Sequence, residues 1–169
     1  MINNLEPAAG QYGRMHANTQ RVSDVLAAAG STGEVRTLSD SARTAALAAE
    51  QLAVPVGAIA NSLVFLADDE PLLILTSGAH RVDTDRVAAT IGAGSVHRAS
   101  PEVVRAATGQ AIGGVGPVGH PAPIRTLVDV ALAGHDVVWA AAGTAHTVFS
   151  TSFAELLRLT GGTATEVGD

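Results

Sequence analysis

The 169-residue chain contains neither cysteine nor lysine. The first absence excludes disulfides, thiol nucleophiles and thiolate metal sites. The second removes every side-chain amine, so all ten basic residues are arginine. Aromatic residues make up only 3% of the chain against 47% apolar residues overall, so the core is filled mainly by Ala, Val, Leu and Ile, a composition suited to helices packed closely on a sheet. No apolar run approaches the roughly 18 residues of a membrane span, and residues 1–15 lack the basic start and apolar stretch of a secretory signal. A cytoplasmic protein that does not engage membrane is the simplest reading. The net charge of −6 argues against a broad basic surface that coats nucleic acid, but leaves room for a local contact. The length fits an N-terminal extension over residues 1–15 followed by a single domain over 16–169.

Patterning predicts interleaved helices and strands. Val22, Val25, Leu26 and Ala29 fall at helical spacing and Gly30 can end that helix, which predicts a helix over 17–29. A short strand is expected over 34–38. Ser39 or Asp40 can cap a second helix running to about Leu52, before Val54-Pro55 turns the chain away from helix. Two apolar runs, 59–67 and 72–76, flank Asp68-Asp69-Glu70-Pro71 and read as a β-hairpin, the first run buried on both faces, with a helical turn over 56–60 as the alternative for its start. Asp83 and Ser100 are caps for helices ending near Ile91 and Ala107, the second with proline in its first turn, and a strand over 95–98 lies between them. Strands are expected over 124–130, 137–141, 144–149 and 163–167, with a capping box at Ser152–Glu155 opening a last helix. Several strand pairs are close enough in sequence to be antiparallel, which favours a mixed α+β domain over a Rossmann fold.

The segment Gly109–Pro123 is the most distinctive part of the chain: eight of its fifteen residues are Gly or Pro and none is formally charged. It excludes regular helix or strand and predicts a long stiffened loop able to hold a small group by its main chain. No Gly-Lys-Ser/Thr follows, so it is not a P-loop. Gly114, Gly116 and Gly119 fit Gly-x-Gly-x-x-Gly, but Pro117, Pro121 and Pro123 forbid the helix that a dinucleotide site requires. The six histidines form no i,i+3 or i,i+4 pair, so they read as scattered and no metal is assigned. A Gly-x-Ser-x-Gly nucleophile elbow is absent as well.

Taken in order, Val54-Pro55-Val56-Gly57-Ala58-Ile59-Ala60-Asn61-Ser62-Leu63-Val64-Phe65, Ser77-Gly78-Ala79-His80-Arg81-Val82-Asp83, the Gly113–Gly119 loop, Leu127-Val128-Asp129, Ala142-Gly143 and 152–159 resemble the YbaK/EbsC family. That resemblance implies an α+β fold with a mixed, mostly antiparallel, curved or barrel-like sheet surrounded by helices. It implies a free-standing aminoacyl-tRNA deacylase that hydrolyses the ester of a mischarged tRNA, with the aminoacyl-tRNA 3′ end rather than DNA as partner and no cofactor. The family's Gly-x-x-x-Pro loop falls on Gly113–Pro117, which places Gly113, Gly114, Gly116 and Pro117 at the reacting ester. Ser62, Arg81, Gly119, Asp129 and His146 are the corresponding candidates for substrate binding. One position departs: where the family carries Lys, this chain has Asn61, which donates hydrogen bonds but brings no charge. The alternative is therefore a catalytically impaired member that binds an amino acid, aminoacyl-tRNA or a protein partner.

Overall fold

The computed structural model describes residues 16–169, and the extension expected over 1–15 lies outside the described residues. Among the described residues, five helices surround an eight-stranded mixed sheet. Helix α1 (Ala17–Ala28) leads to strand β1 (Val35–Thr37), helix α2 (Ala45–Leu52), a 3₁₀ turn (Val56–Ala58) and the hairpin β2 (Ile59–Ala67) and β3 (Glu70–Ser77). Helix α3 (Thr84–Ile91), strand β4 (Val96–Arg98) and helix α4 (Pro101–Thr108) precede the Gly/Pro loop. After it come β5 (Arg125–Asp129), a 3₁₀ turn (Val130–Gly134), β6 (Val138–Ala141), β7 (Thr147–Thr151), helix α5 (Phe153–Thr160) and β8 (Thr163–Thr165).

Local chemistry accounts for most boundaries. Asp83, Ser100 and Ser152 each accept a main-chain N–H from the first turn of the helix that follows, as expected. The Ser152–Glu155 box forms by half, because Glu155 turns its carboxylate to the hydroxyls of Thr151 and Ser31. The hairpin closes on Asp68 and Asp69, both with positive φ (47° and 68°), the conformation that suits a two-residue turn to the twist of its strands. Helix α2 begins later than expected, at Ala45 with Thr44 as its cap. Residues before it are captured elsewhere: Leu38 and Ala42 donate their N–H groups to the carbonyls of His146 and Ala145, each at 2.7 Å. Gln51 holds Asp40 through its main-chain N–H and C=O.

The strands are ordered β1-β7-β6-β2-β3-β5-β8, with β4 paired to β2 off this path, and the sheet is open rather than closed into a barrel. Pairings β1–β7, β6–β7, β2–β3 and β2–β4 are antiparallel; β2–β6, β3–β5 and β5–β8 are parallel. One face of the hairpin packs Ala60, Val64, Leu73 and Leu75 against α1, α4 and α5, and the other packs Phe65, Leu72 and Ile74 against α3.

The sheet forks at β2. Strand β6 pairs with it only at Ile59 and Ala60, and β4 joins only at Phe65–Ala67. Between these contacts, no strand among the described residues lies along the edge of Asn61–Val64 away from β3. Main-chain direction alternates along a strand, so Ser62 points the same way as Val64, whose carbonyl accepts from Ala99, and Ser62 opens its N–H and C=O into the gap. This also explains why residues 61–63 of a run expected to be buried are only half-buried.

Candidate active site

The fork opens into a cavity of about 600 Å³. Asn61, Ser62 and Thr76 reach its wall from the hairpin, His80 and Arg81 from the segment after β3, Arg43 from the segment before α2, Arg98 from β4, and Gly113 and Val115 from the Gly/Pro loop. Asn61 and Thr76 are cross-strand partners, so their side chains share a face. Thr76 is 2% exposed, and its hydroxyl, like the buried hydroxyl of Ser62, has no hydrogen-bond partner among the described residues. Buried polar atoms without partners are costly, and these two, on opposite faces of the hairpin, both belong to residues that line the cavity.

Charge is distributed unevenly. Among the described residues, three arginines and one histidine line the cavity, and neither Asp nor Glu does. In a chain of net charge −6 this wall is locally cationic. None of Arg43, Arg81 and Arg98 forms a side-chain ion pair among the described residues; the Arg98 guanidinium lies 5.6 Å from the ring centre of Phe65. The described residues include no group of three or more His, Asp or Glu able to hold a metal ion, and no helix long and apolar enough to cross a membrane.

The Gly/Pro loop owes its shape to two residues that the sequence did not single out. Gln110, 1% exposed, accepts the Gly116 N–H at 2.7 Å and donates toward the carbonyls of Val118 and Gly119. His120 bonds the Gly116 carbonyl through Nε2 at 2.8 Å. Burial pushes its imidazole below the ordinary range, with the Gly116 hydrogen bond opposing, which favours a neutral ring donating from Nε2. Both main-chain groups of Gly116 are thus engaged inside the loop, and the Gly114 N–H goes to Ala111. The N–H groups of Gly113 and Val115 have no partner among the described residues, and both residues line the cavity, together with Ile112.

Close approach explains two glycines. Gly113 has φ 94°, and a β-carbon there would sit 3.3 Å from Cβ and Cγ of Arg43, so the bare backbone seats the arginine stem. A β-carbon at Gly114 would fall 2.5 Å from the carbonyl carbon of Thr144. The β6–β7 turn therefore holds the loop on one side and, through Ala145 and His146, the Arg43 segment on the other.

Of the residues singled out in the sequence, Asn61, Ser62, Arg81 and Gly113 come together on the cavity wall. Gly114, Gly116, Pro117 and Gly119 stand behind it, buried in the body of the loop. His146 is exposed in the β6–β7 turn. Asp129, 1% exposed, does not line the cavity either: it ends β5, where Oδ1 accepts the Ala131 N–H at 2.9 Å and Oδ2 accepts the Ser77 N–H at 3.0 Å. Its contact with the site is indirect, through His80, whose Nδ1 lies 3.1 Å from Oδ2.

The mixed sheet thus forks around a cavity lined by three arginines and a histidine, beside a glycine-rich loop tied together by Gln110 and His120. The model of the aminoacyl-tRNA editing domain matches residues 39–159, and the chain belongs to that family. It is 38% identical to a solved structure described as a candidate trans-editing enzyme for prolyl tRNA synthetase, with a TM-score of 0.86 over 92% of this chain and 99% of that one. Among curated proteins it is similar to the proline–tRNA ligase of Nitratidesulfovibrio vulgaris, 36% identical over 52% of this chain, and that of Leuconostoc mesenteroides, 31% identical over 75%. It spans only 15% and 20% of the lengths of those two ligases.

Proposed function

We propose that the domain is an aminoacyl-tRNA deacylase, acting in trans in the cytoplasm, that hydrolyses the ester between a wrongly attached amino acid and the tRNA 3′ end. The observation that carries this reading is a cavity whose lining brings together three arginines, Asn61, and Gly113 and Val115, whose N–H groups have no partner among the described residues, with no Asp or Glu among the described residues that line it. Arginines suit the phosphates of a single-stranded 3′ end, while main-chain and amide donors suit the carbonyl oxygen on which negative charge develops during attack. Activated esters need orientation and charge stabilisation more than a strong nucleophile. Gly114, Gly116, Pro117 and Gly119 contribute by fixing the loop, and His146 by holding the Arg43 segment through its carbonyl.

The test is deacylation of a panel of mischarged tRNAs that includes proline tRNA carrying alanine or cysteine. Release of amino acid above the buffer rate from at least one member is expected; none from any member sinks the enzymatic reading. Asn61 favours a second reading, in which the domain binds aminoacyl-tRNA without turnover because the position lacks a cation. Saturable binding to panel members with no release would identify that case.

A further inference from the structure

The geometry points to His80 as the general base of this site, with Asp129 as its positioning residue; the assignment rests on the deacylase reading above.

Residues 49 apart in sequence are joined here. The Asp129 carboxylate, buried at the end of β5, holds the Ser77 N–H and the His80 Nδ1 on the same oxygen. It thereby fixes both the end of the strand that carries Thr76 and the imidazole that follows. An ionised carboxylate only accepts, so the Nδ1 beside it carries the proton and Nε2 is left as the acceptor. Nε2 has no partner among the described residues, and the ring, with its side chain 29% exposed, lies on the cavity wall. Asp129 already accepts two main-chain N–H groups, so its own burial does not require the histidine. A fixed tautomer, a free acceptor nitrogen and access to the cavity are the properties of a base that takes a proton from water.

The step balances without a further reactant. Water oxygen attacks the ester carbonyl carbon as Nε2 takes one of its protons, and the resulting imidazolium is stabilised by Asp129, which stays ionised. Collapse of the tetrahedral intermediate breaks the bond to the ribose oxygen, which leaves with the proton returned from His80. The products are the tRNA hydroxyl and an amino acid whose carboxyl releases one proton to solvent.

The charged and titratable groups around the ring come from several elements. They include Asp129 on β5, Arg81 next in the chain, Asp169, whose main-chain oxygen accepts the Arg81 N–H, Arg43 and Arg98 in the lining of the same cavity, and His135, which with Ala79 lies against Gly57.

The experiment measures kcat/KM on the best mischarged tRNA of the panel from about pH 5 to about pH 9 for the wild type, His80→Gln, Asp129→Asn and the double variant. Thermal melts confirm that His80→Gln is folded. In the wild type the rate should rise with pH and then level as one base loses its proton. His80→Gln should lose about a hundredfold or more in kcat with KM little changed, and should lose that limb of the profile. Where Asp129→Asn folds, the double variant should be no slower than His80→Gln alone, because the two residues act as one unit. A folded His80→Gln that keeps the limb, or stays within about threefold of the wild-type kcat, overturns the assignment and leaves the deacylase reading standing. A wild type inactive on the whole panel overturns both.

Discussion

Gln110 and Gly116 are joined by a 2.7 Å hydrogen bond in which the glycine N–H donates to the buried carboxamide oxygen. The bond spans six residues of a segment that has no ladder of its own, and the same carboxamide reaches forward to Val118 and Gly119. Backbone groups that would otherwise be orphaned inside the domain are satisfied by one side chain, which ties a loop rich in glycine to a single buried anchor.

Gln110→Leu keeps the volume and removes the acceptor, leaving the buried Gly116 N–H unsatisfied. The expected cost is about 2 kcal/mol, read as a lower denaturant midpoint at unchanged m value, together with slower deacylation. An unchanged midpoint would show that the loop is held by its prolines instead.

Asn61→Lys restores a cation beside Thr76 on a wall that carries no acid. If it acts on charge developing in the transition state, kcat/KM should rise about ten- to a hundredfold on the tRNA that the wild type deacylates best. No gain would mean that the arginines already supply the charge at the reacting ester.

Arg43→Gln and Arg98→Gln each remove one cation from the cavity while leaving most of the stem. Each should weaken tRNA binding and flatten the plot of log affinity against log salt by about 0.7, the contribution of one phosphate contact on a single strand. Affinities followed by filter binding across a salt series decide the point; equal slopes in wild type and variants would remove these residues from the tRNA contact.

His120 gives the fold a pH dependence with a defined sign. Burial depresses its folded-state pKa below the unfolded value of 6.5, so the unfolded chain takes up a proton first as pH falls. Stability is therefore unaffected by this group above that value and declines below it, until the depressed folded value is reached. The Tm of wild type should fall more between about pH 7.5 and about pH 5.5 than that of His120→Asn, measured in the same buffers. Parallel declines would place the sensitivity elsewhere.

What the sequence determined by itself is local. Asp83, Ser100 and Ser152 cap helices through hydrogen bonds that span three residues, and Asp68-Asp69 close a hairpin between adjoining strands, so these elements were legible from short patterns. The ordered family motifs likewise identified the glycine loop and Asn61. The tertiary structure alone decided the rest. Helix α2 starts late because the carbonyls of Ala145 and His146, about a hundred residues downstream, capture the chain before it. Gln110 looked like any loop glutamine until Gly116, Val118 and Gly119 were folded around it, and His80 looked like one of six scattered histidines until β5 paired with β3 and brought Asp129 to it. Hydrogen bonds a few residues long are written in neighbouring letters, whereas the cavity depends on where β2 parts from β6 and meets β4, a register set by burial across the whole sheet.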